Sequence, residues 1–166
     1  MTTARKTLPP QSEKLLAELC LDRATGNDVC GWAVAALEAG FDTESLRILA
    51  SMSSDKAVSF FDVQPYLHTA LAEFDLPERL DREATLRNYA RALAMDIATD
   101  CIAASSALSL MHSCVVSPLG HPADLMGWCY LWEGYSADGL FAEMSDDEIE
   151  NATREYAIKW LGESVE

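Results

Sequence analysis

Residues 81–101 read DREATLRNYARALAMDIATDC, and their spacing decides the fold class. Leu86, Tyr89, Ala90, Leu93, Ala94, Ile97 and Cys101 recur at threes and fours, the interval that lays one apolar stripe along an α-helix. Asp81 stands at the head of the run, a residue type that favours helix starts. The same spacing extends outward in both directions. Upstream, Ser12 is expected to cap a helix carrying Leu15, Leu16, Leu19 and Cys20 and ending near Gly26. Asn27 or Asp28 starts a second helix with Val29, Trp32, Ala33, Ala36 and Leu37 on one face, and Gly40 stands where a left-handed cap is needed. Asp42 or Thr43 opens a short third through Leu46, Leu49 and Met52. Asp62 is expected to cap a fourth, with Pro65 in its first turn and Leu67, Ala70, Leu71 and Phe74 as its stripe.

Downstream, the apolar segment Ala107 to Val116 reads as a helix stopped at Ser117-Pro118-Leu119-Gly120. Ala123 to Glu133 reads as another, and Gly134 to Met144 as a loop. Ser145-Asp146-Asp147-Glu148 is a capping-box signature, with Ile149, Ala152, Tyr156 and Trp160 behind it. No strand-type alternation exceeds a few residues, and no fixed period supports a solenoid. The expected fold is all-α, an irregular single-domain bundle of about seven or eight helices. Residues 1–11 are expected to be a flexible N-terminal segment and residues 12–166 a single helical domain.

Charge bounds the partners. The 166 residues carry 12 basic and 27 acidic side chains, a net −15. Between Arg91 and Arg154 lie 62 residues without a Lys or Arg, and that stretch carries ten acids threaded among Leu, Met, Trp and Tyr. A folded surface of one sign attracts basic surfaces and repels anions over a distance set by salt screening. Nucleic acid and anionic membrane are therefore not expected partners, because phosphate contacts need Lys and Arg.

The five cysteines, Cys20, Cys30, Cys101, Cys114 and Cys129, lack C-x-x-C spacing and sit among apolar residues. Reduced thiols in a cytoplasmic protein are the expectation. The first ten residues, MTTARKTLPP, have no apolar run behind their basic pair, so no signal peptide is expected. No stretch approaches a membrane span in length.

Few residues point to catalysis. His112, Cys114, His121 and Asp124 are types that bind zinc, but their spacing matches no common zinc pattern, so neither a metal nor a cofactor is expected. Cys114 lies near His112 and His121 in sequence, yet its apolar and acidic surroundings disfavour a thiolate nucleophile. His68 accompanies Leu67 on the fourth helix. The acids Asp146, Asp147, Glu148 and Glu150 occupy a first helical turn, where the dipole favours them without chemistry. Neither G-x-S-x-G nor H-E-x-x-H nor a glycine-rich phosphate loop occurs. The chain therefore reads as a binding protein and not an enzyme.

Trp128, Trp132 and Tyr135 recur at four and three, either as a core stripe or as rings emerging beside Glu133, Asp138 and Glu143. Aromatic rings among carboxylates suit docking of a basic, partly apolar surface. The expected partner-binding residues are Trp132, Tyr135, Asp138, Glu143, Asp146, Asp147 and Glu150.

One passage carries a resemblance. Trp32-Ala33, Leu37, Gly40-Phe41-Asp42 and Ser45-Leu46-Arg47-Ile48-Leu49-Ala50 resemble a segment of small, acidic, all-helical bacterial proteins, largely uncharacterised and in some settings immunity-protein-like. The likeness spans the residues from Trp32 to Ala50 and names no catalytic residue. Taken with the acidic, aromatic-bearing surface, the leading expectation is an immunity or inhibitor protein that neutralises a basic toxin or effector by occluding its active site. The alternatives are a secretion chaperone or helical adaptor for an effector, and a small enzyme using His112, His121 or His68.

Overall fold

Gly40 adopts φ +87° after the second helix, and two hydrogen bonds close the end around it. The Phe41 N–H donates to the Ala36 carbonyl and the Gly40 N–H to that of Leu37, both at 3.0 Å. This is the paired capping motif that a left-handed glycine permits. It sets the short turn into the next helix, so the two pack as neighbours. The computed structural model describes residues 8–53, 58–76, 80–135 and 144–163. Among these the chain is all helical, with eight α-helices and no strand, as the spacing predicts. It divides into two compact units, Met1–Arg82 and Glu83–Glu166. Most of the expected flexible segment 1–11 falls outside the described residues.

The first unit holds α1 (Ser12–Cys20), α2 (Gly26–Glu38), α3 (Glu44–Ser51) and α4 (Phe60–Glu73). α2 and α4 each pack against α3 and against one another, while α1 packs on α2. Its core gathers Leu15, Val29, Trp32, Leu46, Leu49, Val63, Leu67 and Phe74. Three caps differ from the sequence reading. Ser12 is the first residue of α1 and buried; Gln11 precedes it in a left-handed conformation. Its hydroxyl donates to the Pro9 carbonyl and accepts from the Trp32 indole, so a cap-type residue serves the core instead. Thr25 caps α2 in a reciprocal box with Asp28. Ser59, not Asp62, caps α4, which moves Pro65 beyond the first turn, where it has no N–H to offer the Phe61 carbonyl. Thr43 caps α3 as expected.

The second unit begins within α5 (Arg82–Ala98) and continues through α6 (Ala104–Met111), a π-helical turn His112–Val116, a 3-10 turn Ala123–Leu125, α7 (Met126–Gly134) and α8 (Asp146–Glu163). α6 packs against both α7 and α8. Cys101, read as the end of the α5 stripe, lies past the helix and is exposed. The Ser145–Glu148 box forms: Glu148 accepts from the Ser145 amide at 2.8 Å and hydroxyl at 2.9 Å, and its own amide donates back to the hydroxyl. Trp128 is buried and meets Tyr156 and Trp160 edge-on. No helix among the described residues is long and apolar enough to cross a membrane.

Candidate functional site

The apolar segment after α6 changes pitch at His112. The Ser117 amide donates to the His112 carbonyl at 3.0 Å, five residues back, in place of the four-residue step of an α-helix. Single π-turns of this kind are frequent at functional positions. The turn then reverses at Gly120 and His121. Gly120 has φ +76° and His121 φ +58°, and the His121 amide donates to the Val116 carbonyl. A non-glycine residue in the left-handed region is uncommon, with His among the tolerated types. Two local departures from helix geometry thus carry two imidazoles back toward one another, with ring centroids 5.9 Å apart.

α7 supplies the rest of the site from successive turns. Cys129 is buried, and Trp132 and Glu133 follow it at three and four residues, on the same side of the helix. The Trp132 indole stacks on the His112 imidazole, with centroids 3.8 Å apart and planes within 4°. The Cys129 thiol points to the Glu133 carboxylate at 3.6 Å. Burial pushes that thiol's pKa up, and the charge and hydrogen bond of Glu133 push it further the same way. Ligand atoms of His112, His121 and Cys129 all lie within 4.8 Å of one another. His112 is half-buried and His121 exposed, so the cluster opens to solvent on one side.

Sequence proximity had grouped different residues. Cys114 lies two positions after His112, which on a helix turns it to another face, and the group that closes is His112, His121 and Cys129. Asp124 instead pairs with Arg87 at 2.5 Å, and the guanidinium lowers the pKa of its carboxylate. His68 is exposed on α4. The one sequence signal for Cys129 was its i, i+3, i+4 relation to Trp132 and Glu133; no spacing rule joins it to histidines 8 and 17 residues earlier.

The expected partner-binding residues separate into three groups. Trp132 is 38% exposed, Tyr135 is half-buried, and Asp146 and Asp147 are exposed at the start of α8. Asp138 and Glu143 lie outside the described residues. Glu150 has a structural duty: both its oxygens accept from the Ala104 amide, at 3.0 and 2.9 Å. Ala103, at the N-cap of α6, offers no side-chain acceptor, so a carboxylate from α8 caps that helix. The aromatic stripe divides as well. Trp128 belongs to the core, while Tyr130, 57% exposed, joins Trp132 at the surface.

No protein-family model, no curated protein and no solved structure matches this chain.

Proposed function

We propose that this chain is an acidic protein-binding module that covers a basic partner surface, most naturally an immunity or inhibitor protein that occludes the active site of a toxin or effector. The observation that carries this reading is the disposition of charge in the second unit. Of its four basic residues, Arg87 pairs with Glu83 and Asp124, Arg154 with Asp100, and Lys159 with Glu163. These cations are occupied by neighbours, while Asp146 and Asp147 stay exposed and Tyr130 and Trp132 offer rings to solvent. Carboxylates of this kind accelerate encounter with a cationic groove, and exposed aromatics supply contact area once docked. Toxins that act on nucleic acid or nucleotides have grooves of the required sign.

The test begins with capture of the partner from the native cytosol and its identification by mass spectrometry. On-rates are then measured for the wild type and for Asp138→Lys/Glu143→Lys at two ionic strengths. A basic partner, slower association for the double variant and a flatter salt dependence support the reading. An acidic partner, or an on-rate that charge reversal leaves untouched, overturns it. The adaptor alternative draws on one observation, the exposure of Phe61 (81%) together with Tyr66 on α4. A partner whose binding is lost in Phe61→Ser but kept in the double charge variant supports that alternative.

A further inference from the structure

We propose that His112, His121 and Cys129 form a binding site for a single divalent, borderline-soft transition-metal ion of the zinc type. This site is independent of the partner-binding reading. Two imidazoles and one thiolate are donors that zinc accepts, and they discriminate against calcium and magnesium, which demand oxygen.

Three observations from different parts of the unit converge on it. The first is distance. The three ligand atoms already stand within 4.8 Å of one another. Bonds of about 2.0 to 2.3 Å at tetrahedral angles bring such atoms to about 3.3 to 3.6 Å, so closure requires a movement of about 1 Å. His121 is exposed and can make it by side-chain rotation.

The second is backbone. The π-turn begins at His112, and His121 itself sits in the left-handed region, so each imidazole is placed by a local irregularity. Backbone conformations of this type persist where the surrounding structure holds them, and they collect at sites that bind. The third is orientation. The Trp132 indole covers one face of the His112 ring. Ring nitrogens donate their lone pairs in the ring plane, so a face-on stack leaves the edge open to a metal while limiting rotation. An outer contact that fixes a ligand ring is a usual companion of metal sites.

The thiol proton leaves to solvent as the metal–sulfur bond forms, because a coordinating cysteine binds as thiolate. The Glu133 carboxylate stands 3.6 Å from the same sulfur but outside the three-residue cluster, so it would have to turn toward the histidines to serve as a fourth donor. With it the first shell is neutral; with water in its place the shell carries one positive charge. A chain of net charge −15 draws cations toward either arrangement.

Cobalt(II) is the probe, since its spectrum reports both geometry and sulfur ligation. The full-length chain is stripped with a chelator, reduced, and titrated with Co2+ alone. The expected result is one saturable equivalent, with intense tetrahedral ligand-field bands and a near-ultraviolet thiolate-to-cobalt charge-transfer band, all displaced by Zn2+. Cys129→Ser should abolish the charge-transfer band. His121→Asn, at an exposed position where Asn tolerates the same backbone, should weaken binding by at least about tenfold. His68→Ala, Cys101→Ser and Cys114→Ser should bind as the wild type does. Circular dichroism shows which variants fold; should Cys129→Ser fail to fold, His121→Asn decides the matter. No saturable binding, a charge-transfer band that survives Cys129→Ser, or unchanged affinity in folded His121→Asn would overturn the site.

Discussion

Removing the Trp32 ring tests the packing of the first unit most directly. The side chain is 2% exposed, its indole N–H donates to the Ser12 hydroxyl at 3.1 Å, and its ring meets Phe74 edge-on at 6.2 Å. Trp32→Ala removes that surface and leaves a cavity, a loss of about 3 to 5 kcal/mol. Against a typical domain stability of about 5 to 15 kcal/mol this is a large fraction.

The smaller steps separate packing from hydrogen bonding. Trp32→Phe keeps most of the apolar contact but deletes the donor, so a loss of about 1 to 2 kcal/mol is expected. Ser12→Ala leaves the indole N–H buried without its acceptor, at about 1 to 3 kcal/mol. The Ser12 hydroxyl also donates to the Pro9 carbonyl at 2.7 Å, so part of that loss is independent of Trp32. In the Trp32→Phe background Ser12→Ala should therefore cost less, with a coupling of about 1 kcal/mol. Urea denaturation followed by far-UV circular dichroism measures each corner, with separate transitions fitted if the two units unfold apart. A loss below about 1 kcal/mol for Trp32→Ala, or strict additivity of the two smaller changes, would refute the assignment.

Two glycines should respond in opposite directions. A Cβ at Gly26 would run into the Val58 carbonyl, so Gly26→Ala should destabilise by about 1 to 3 kcal/mol, whereas Gly31→Ala, with open space around it inside α2, should stabilise by about 0.4 to 1 kcal/mol in the same urea assay. Glu150→Ala should lose about 1 to 3 kcal/mol through the unsatisfied Ala104 amide and speed hydrogen exchange at the start of α6, while the exposed Asp147→Ala should do little to either. Glu148 is held below its ordinary value of 4.5 by the Ser145 amide and then by the Ser145 hydroxyl. Its folded pKa is depressed, so its contribution is present above the unfolded pKa and is lost as pH falls through the folded one. The Ser145 and Glu148 amide resonances should titrate together with a midpoint below 4.5, and a midpoint at or above that value would contradict the cap.

The helices were legible because each leaves a periodic stripe in the sequence, and Gly40, Thr43 and the Ser145–Glu148 pair marked their ends by local chemistry alone. At the starts of α2 and α4, residue types that all favour a cap stand close together, so local chemistry alone does not choose between them. Ser59 and Asp62 each suit the start of α4. Ser12 went to the core because Trp32, twenty residues away, needed an acceptor, and that demand leaves no trace near Ser12 in the sequence. The stripe of α8 is harder to read than that of α5, because only Ile149, Thr153 and Ala157 along it are buried.

The imidazole–thiol cluster was hidden for a related reason. Spacing rules for metal sites describe ligands that one loop or one helix delivers, and here three segments deliver them. His112 depends on a change of helical pitch, His121 on a left-handed residue after Gly120, and Cys129 on the packing of α7 against the π-turn. None of these is periodic, and the sulfur nearest to His112 along the chain is that of Cys114, on another face. The same logic reassigns Glu150. In sequence Glu150 is one of a row of first-turn acids and a candidate partner contact, yet the helix that its carboxylate caps starts 46 residues earlier, at a position with no cap of its own. In an acidic chain a carboxylate's neighbours in sequence thus say little about its task. Charge reversal aimed at a partner must therefore spare Glu150, whose carboxylate caps α6.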